Sequence, residues 1–292
     1  MTRHPQVAFV GLGAIGLPMA ESIVRAGLPL VGVEAAPAGR ERAEAAGVRT
    51  VADIGDAGEV DVVVVMVATG AQLTAVVDAA LAGDAVAGRT WIVSATVGPD
   101  VVRAEAARLE AAGAAVVDAP VSGGVARAGR GELVLFASGA DAALEAAAPV
   151  LDALGTARVV GDRVGEGQAV KVVNQHLAAV HIVAAAEALA LAERLGLDPA
   201  FVLDVVGGGA AASFMLGDRG PRMLAGDDAP VLSQVGIFVK DTGLVAEAAA
   251  AAGIDLPALQ AARERFLDAD ARGLGRRDDS SVIETYRTGG RS

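Results

Sequence analysis

Short apolar runs alternate with helical segments over the first half of the chain. Runs rich in Val and Ile predict strands at residues 6–10, 30–34, 61–67, 91–94, 115–118 and 133–137. Ala-rich segments at residues 71–82, 99–112 and 141–154 have helical periodicity and are bounded by Gly, Pro or Asp. Strands that are apolar on both faces and alternate with helices are typical of a parallel sheet covered by helices.

The second half of the chain contains only helical patterns. We predict helices at residues 167–195, 199–206, 213–225, 235–252 and 257–271, separated by loops rich in Gly and Asp. No strand pattern follows residue 160. The chain therefore divides into an α/β domain with a parallel sheet, residues 1–163, and an all-helical domain, residues 164–292.

Composition narrows the functions open to such a protein. With 24 basic and 36 acidic side chains, the net charge of −12 disfavours binding to nucleic acid or anionic membranes. The chain has no cysteine, and its three histidines have no metal-ligand spacing, so we predict no metal site. No secretion signal precedes the first strand, and the most apolar stretch, residues 177–192, is too short to predict a membrane span. We expect a cytoplasmic protein.

A glycine-rich turn joins the first predicted strand to the next helical segment. Its residues are Gly11, Leu12, Gly13, Ala14, Ile15 and Gly16, the GxGxxG pattern in the strand–turn–helix context of dinucleotide-binding proteins. In that context Gly11 permits a tight turn, Gly13 lets backbone amides approach a pyrophosphate, and Gly16 lets helix and strand pack closely. The alternative is a purely structural turn.

The second predicted strand ends at Glu34, where an acidic residue hydrogen-bonds the adenosine ribose in NAD-binding folds. A carboxylate there would repel the 2′-phosphate of NADP. Arg40 lies downstream and could serve NADP. We predict NAD, with NADP as the less favoured cofactor.

Later strand ends supply further candidate contacts, because ligands of parallel sheets bind beyond the carboxyl ends of the strands. Met66, Val67 and Thr96 occupy such positions and are predicted to contact the cofactor. Ser94 and Thr96 could instead cap the helix that follows, an alternative that we leave open for Ser94.

A second glycine-rich turn follows the predicted strand at residues 115–118. Consecutive amides at Gly123 and Gly124, beside the hydroxyl of Ser122, can form an anion-binding nest. Such a nest would hold a substrate carboxylate beside a nicotinamide. A plain glycine-rich turn is the alternative.

The chain contains two lysines, Lys171 and Lys240. Lysine, unlike arginine, can be tuned by burial to act as an acid or base near neutral pH. Helical spacing places Lys171 on one face with Gln168, Asn174 and Gln175, which favours a polar cavity over a lysine extended along the surface. Lys240 precedes an aspartate, and a local ion pair is the simplest interpretation.

Four blocks resemble the β-hydroxyacid dehydrogenases, the family typified by 3-hydroxyisobutyrate dehydrogenase, over almost the full chain. They are residues 9–20 as the cofactor fingerprint, 118–133 as the substrate block, 165–175 as the catalytic block and 240–244 as the second lysine block. The resemblance implies a Rossmann-type N-terminal domain, an all-helical C-terminal domain and an active site between them. It also implies a homodimer or homotetramer.

The resemblance further implies roles for individual residues. Lys171 would be the general acid/base, Thr96 and Lys240 would contact the cofactor, and the turn at Ser122, Gly123 and Gly124 would hold the substrate carboxylate.

Position 175 departs from the family, which commonly has Asn there, whereas this chain has Gln175. Residues 174–182 and 213–226 resemble the branch that acts on L-threonate and related four-carbon sugar acids. We therefore predict oxidation of such a hydroxy acid, with Asn174 and Gln175 orienting its oxygens.

Other functions remain open at this point. The same machinery could oxidise 3-hydroxyisobutyrate or reduce glyoxylate or succinic semialdehyde. Imine reductases share the fold but generally lack the lysine. A dinucleotide-binding protein without turnover is the alternative from another class, and retention of Lys171 and Ser122 argues against it.

Overall fold

The computed structural model describes residues 4–83 and 85–287, and the chain divides into two compact units, residues 1–171 and 172–292. The sequence places the domain boundary at residue 163. The first turn of the long central helix belongs to the first unit, because its backbone amides bond to side chains at strand ends of that unit.

Within the described residues, the first unit contains one nine-stranded sheet. The strands are β1 (Val7–Val10), β2 (Leu30–Val33), β3 (Thr50–Val51), β4 (Val62–Val65), β5 (Thr90–Val93), β6 (Ala115–Asp118), β7 (Val121–Ser122), β8 (Leu133–Ser138) and β9 (Gly155–Gly161). Their order is β3-β2-β1-β4-β5-β6-β8-β7, with β9 paired to β8. Strands β1 to β6 pair in parallel, whereas β8 runs antiparallel to β6 and β7.

Helices cover both faces of this sheet. They are α1 (Gly16–Arg25), α2 (Pro37–Ala45), α3 (Gly70–Ala82), α4 (Pro99–Ala111), α5 (Gly124–Ala128) and α6 (Asp141–Leu154). Strand side chains alternate between faces, so Val7 and Phe9 of β1 enter one apolar core while Ala8 and Val10 enter the other. The predicted α/β domain is confirmed.

Helix α7 (Glu166–Arg194) begins in the first unit and continues into the second. In the described part of the chain, α7 alone is long and apolar enough to cross a membrane by length and composition. Of its most apolar window, 56% is buried inside the protein, as in core helices of soluble proteins.

The second unit is helical. After α7 come α8 (Pro199–Gly207), α9 (Phe214–Ala225), α10 (Val235–Ala252), α11 (Pro257–Ala269) and α12 (Glu284–Arg287). The Asp198 carboxylate caps α8 by accepting from the amide of Ala200. Phe238 and Phe266 stack in the core of this unit with ring centroids 5.0 Å apart.

Three strands were not predicted from the sequence. β3 and β7 contain two residues each, too few for a periodic pattern. β9 pairs only with β8, and none of its residues is fully buried, so it has no continuous apolar run.

Candidate active site

Glycine occupies the three positions of the first turn for different structural reasons. A Cβ on Gly11, whose φ is +93°, would overlap the carbonyl oxygen of Met66, and one on Gly16 would overlap the carbonyl oxygen of Gly11. Gly13 is exposed, and nothing lies within 4 Å of where its Cβ would be. The fold therefore requires glycine at 11 and 16, while the open space at Gly13 fits a ligand that approaches the backbone, as a dinucleotide pyrophosphate does.

A groove of about 380 Å³ opens beside this turn, lined by Leu12, Gly13, Ala14, Leu17, Pro18, Glu21 and Arg42. The side chain of Leu12 is 1% exposed and belongs to the core, and Ile15 is half-buried against the same core. Of the predicted cofactor contacts in the turn, Gly13 and Ala14 are therefore the exposed ones.

The Glu34 carboxylate lies at the same turn. Its Oε2 accepts from the amide of Leu12 at 2.9 Å, and its Oε1 accepts from the amide of Ala36 at 3.0 Å. Arg40 donates from Nη1 to the carbonyl oxygens of Glu34 and Ala35, each at 2.8 Å. The acidic group is thus held beside the glycine turn, where it favours ribose hydroxyls over a 2′-phosphate.

Met66 and Val67 follow β4 and are half-buried next to the glycine turn. The amide of Met66 donates to the carbonyl of Val10 at 2.8 Å, which fixes the ends of β4 and β1 side by side. Thr96 follows β5 and is also half-buried, whereas Ser94 is fully buried. Helix α4 begins after Gly98, which has no side chain to cap it, and Ser94 Oγ has no hydrogen-bond partner among the described residues, so the capping alternative is wrong for Ser94.

The second glycine-rich turn links β7 to α5. Gly123 and Gly124 have φ values of +140° and +73°, which glycine adopts far more readily than other residues. Ser122 and Gly123 are half-buried, and a Cβ on the exposed Gly124 would meet nothing within 4 Å. Only the space beside Gly124 is therefore open to a ligand, and an anion-binding role of this turn stays a prediction.

Lys171 is 7% exposed and lies in the first unit, at the start of α7. The first turn of this helix approaches the sheet closely, because a Cβ on Gly167 would overlap the carbonyl oxygen of Phe136. The amide of Gly167 donates to Ser138 Oγ at 2.9 Å. The backbone that carries Lys171 is therefore docked against the strands.

Asp118, the last residue of β6, anchors this turn. Its Oδ2 accepts from the amides of Gly165 and Gln168 at 3.0 and 2.8 Å, and its Oδ1 accepts from Gln168 Nε2 at 3.0 Å. Burial raises the pKa of Asp118 to about 6, and the hydrogen bonds from Gln168, Gly165 and Ser138 oppose that rise in part.

Gln168 extends the network to the segment that follows β5. Its Oε1 accepts from the amides of Val97 and Gly98 at 3.0 and 3.1 Å, and its Nε2 donates to the carbonyl of Ala95 at 2.9 Å. Sequence spacing assigned Gln168 to a polar cavity beside Lys171. The structure instead uses its whole amide to join the start of α7 to the backbone after β5 and to the Asp118 carboxylate.

The predicted polar residues of the second unit meet at Asp241, which is 4% exposed. Gln175 Nε2 donates to Asp241 Oδ2 at 2.5 Å, and Asn174 Nδ2 donates to Gln175 Oε1 at 2.9 Å. Lys240 Nζ lies 2.8 Å from Asp241 Oδ1, so the ion pair expected there is present. One carboxylate thus brings Gln175 and Lys240 together, and Asn174 joins them through Gln175.

The sequence interpretation assigned no role to Asp118 and gave Asp241 only a local ion pair with Lys240. A signal for Asp118 existed, since an acidic residue at the end of an apolar strand is buried and needs hydrogen-bond donors. Within residues 4–83 and 85–287, no group of three or more His, Asp or Glu side chains is arranged to hold a metal ion.

Two family models match the chain. One, described as the NAD binding domain of 6-phosphogluconate dehydrogenase, matches residues 6–167. The other, described as NAD-binding of NADP-dependent 3-hydroxyisobutyrate dehydrogenase, matches residues 165–286. Between them they cover most of both units.

Individual relatives match over nearly the whole chain. L-threonate dehydrogenase of Haemophilus influenzae is 40% identical over 290 residues, covering 97% of this chain and 96% of the relative. L-threonate dehydrogenase of Cupriavidus necator is also 40% identical, with coverages of 98% and 97%. A crystal structure of 3-hydroxyisobutyrate dehydrogenase from Salmonella typhimurium has a TM-score of 0.89 at 38% identity and covers 96% of this chain and 99% of that chain.

Proposed function

We propose that this chain, which belongs to the β-hydroxyacid dehydrogenase family typified by 3-hydroxyisobutyrate dehydrogenase, oxidises L-threonate or a closely related four-carbon sugar acid. Membership makes the protein an NAD-dependent hydroxyacid dehydrogenase of the L-threonate branch. The particular substrate and the role of each residue are our proposal.

The burial of Lys171 carries this proposal. At 7% exposure it is unlike a surface lysine, and it shares the first unit with the glycine turn, Glu34 and the glycine-rich turn at Ser122. Since the chain contains only two lysines and arginine keeps its proton, Lys171 is the buried basic residue of this unit suited to proton exchange.

In the proposed oxidation, the neutral amine of Lys171 takes the proton of the substrate hydroxyl while the hydrogen on the same carbon leaves as a hydride. Bound NAD supplies the acceptor for that hydride at C4 of its nicotinamide. The hydroxyl of Ser122 and the amides of Gly123 and Gly124 hold the substrate carboxylate, which fixes the reacting carbon. In the reverse direction the ammonium of Lys171 returns a proton to the carbonyl oxygen.

The remaining substrate oxygens are assigned to Asn174 and Gln175. L-threonate carries hydroxyls along its whole chain, and amide groups can donate to such hydroxyls and accept from them. The 40% identity to L-threonate dehydrogenases supports this substrate over 3-hydroxyisobutyrate. Thr96 and Lys240 stay predicted cofactor contacts.

A panel of hydroxy acids tests the substrate. The purified protein is assayed with NAD on L-threonate, D-threonate, the erythronates, 3-hydroxyisobutyrate, glycerate and 4-hydroxybutyrate. We expect the highest kcat/KM on L-threonate. Higher kcat/KM on 3-hydroxyisobutyrate, or no turnover of any acid, would overturn the assignment.

Two variants test the role of Lys171. Lys171→Met removes the amine, and Lys171→Arg keeps the charge on a group that does not lose its proton near neutral pH, so both should lower kcat about a hundredfold or more. NADH binding, measured by fluorescence titration, serves as the control for a folded cofactor site. Wild-type kcat in either variant would exclude Lys171 as the acid/base.

We also propose that the helical unit forms a homodimer or homotetramer with further copies of this chain. Large apolar side chains on it are exposed, among them Phe201 at 66%, Val205 at 57% and Phe214 at 58%. Phe201→Ser should shift the mass measured by light scattering toward a smaller species. A monomeric wild-type protein would refute this part of the proposal.

The chain's −12 net charge and lack of cysteine support a small-molecule substrate, rather than nucleic acid or membrane, and a cytoplasmic location. Cell fractionation tests the location, and recovery with the membrane fraction would contradict it.

A further inference from the structure

A buried carboxylate and a buried amide join three segments of the active site that are distant in sequence. Asp118 ends the strand that leads to Ser122, and Gln168 holds the backbone on both sides of Thr96 through Ala95, Val97 and Gly98. Both residues are 0% exposed, and their side chains bond to each other at 3.0 Å. Hydrogen bonds of this kind lie in a water-excluded setting, where geometry is strongly enforced.

The orientation of the Gln168 amide is determined by its partners. Its oxygen faces two backbone donors, and its nitrogen faces two acceptors, the Ala95 carbonyl and Asp118 Oδ1. Reversing the amide would place donors against donors and acceptors against acceptors. All four hydrogen-bonding positions are used, so this side chain has no alternative arrangement.

The same pair determines where α7 begins. Asp118 Oδ2 accepts from the amides of Gly165 and Gln168, which lie in or next to the first turn of the helix. Lys171 follows Gln168 by three residues, less than one turn of a regular helix. The position of the Lys171 backbone is therefore fixed to Asp118 within a single rigid turn.

We propose that Asp118 and Gln168 are positioning residues that hold Lys171 in register with the segments of Thr96 and Ser122. The inference rests on the proposed catalytic role of Lys171. Neither residue touches the reacting atoms in this scheme. A shift of about 1 Å at a catalytic group can lower the rate about a hundredfold, so loss of the pair should act on kcat.

Exchanging the two functional groups tests the pair. Asp118→Asn places an NH₂ opposite Gln168 Nε2, and Gln168→Glu places a carboxylate oxygen opposite Asp118 Oδ1. Each single variant therefore loses the N–H···O bond between the two side chains. The double variant D118N/Q168E restores it in the reverse direction, with the Asn amide donating to the Glu carboxylate. The contact to the Ala95 carbonyl stays lost, so we expect substantial but incomplete recovery.

The measurement is kcat at saturating NAD and hydroxy acid, at a temperature below the melting transition of every variant. We expect each single variant to lose about ten- to a hundredfold in kcat and the double variant to recover about tenfold. Glu105→Gln is the matched control: Glu105 is a buried carboxylate of the same unit, bonded to Thr74 and Arg108 on helices α3 and α4. It should keep wild-type kcat whatever its effect on stability.

A purely structural role would lower the melting temperature and leave kcat at saturation unchanged, and this outcome in the single variants overturns the proposal. A double variant no faster than Gln168→Glu overturns it as well, and this comparison still decides if Asp118→Asn alone does not fold. The variant Lys171→Met distinguishes a failure of the proposed function from a failure of the positioning role. Wild-type turnover in that variant refutes the proposed function, whereas an inactive Lys171→Met beside fully active Asp118→Asn and Gln168→Glu refutes only the positioning role.

Discussion

Alanine at two glycines of the same turn should have opposite effects on stability and cofactor binding. Gly16→Ala adds a methyl group that overlaps the carbonyl oxygen of Gly11 and lies 3.3 Å from the Phe9 ring. Gly13→Ala adds the same methyl group where no atom lies within 4 Å. The pair therefore separates a glycine needed for packing from one needed for a ligand.

The size of each effect follows from these contacts. Overpacking at Gly16 should cost about 1–3 kcal/mol, which lowers the melting temperature of a unit of this size by about 2–12 °C. Gly13→Ala should leave stability unchanged or raise it by up to about 1 kcal/mol, since alanine loses less backbone entropy on folding. Obstructing one amide–pyrophosphate hydrogen bond costs about 1.5–3 kcal/mol, or about ten- to a hundredfold in Kd for NAD.

Two assays on each variant check this reasoning. Thermal unfolding followed by circular dichroism gives the melting temperature, and titration calorimetry with NADH gives Kd. Wild-type affinity in Gly13→Ala would show that the pyrophosphate does not approach this backbone. Equal destabilisation of Gly13→Ala and Gly16→Ala would show that the open space at Gly13 is not available in solution.

Three further predictions concern side chains with charge or amide groups. Glu34→Ala should raise kcat/KM for NADP relative to NAD, because the carboxylate beside the turn is removed; an unchanged ratio would contradict the role of Glu34. Burial raises the pKa of Asp118 from 3.8 to about 6, so the native state holds this proton more tightly than the unfolded chain. As pH rises from about 4 to 6, the wild type should therefore lose on the order of 3 kcal/mol of unfolding free energy relative to Asp118→Asn, measured in urea; parallel pH curves would refute this. Gln175→Asn should lower kcat/KM for L-threonate more than for 3-hydroxyisobutyrate, and an equal loss on both acids would argue against a role in selection.

Most of the fold could be predicted because its signals are local. Strands β1, β2, β4, β5, β6 and β8 are apolar over most of their length, and the helices between them begin or end at Gly, Pro or Asp. The antiparallel course of β8 could not be predicted, since its pattern of buried residues does not depend on the direction of its partner. β9 was missed because an edge strand has no need for a continuous apolar run.

The turns of the candidate site could be predicted, whereas the contacts that connect them could not. Gly11, Gly13 and Gly16 lie close together in sequence, and their motif predicts the place of the turn and a separate role for each glycine. Asp118 and Gln168 are 50 residues apart, and the partners of Gln168 lie about 70 residues before it. A hydrogen bond over such a separation depends on how the strands pair, which no local pattern contains.

We propose that one such contact, made by Gln175, bears on substrate choice. Its Nε2 donates to Asp241 and its Oε1 accepts from the amide of Asn174, so the side chain is long enough to bond to both partners at once. An asparagine at this position is one methylene shorter and cannot reach both from the same backbone. The buried Asp241 would then lose a hydrogen bond, at about 1–3 kcal/mol. We therefore expect that conversion of this site toward 3-hydroxyisobutyrate needs a second change that satisfies Asp241, and we propose that specificity depends on Gln175 and Asp241 together.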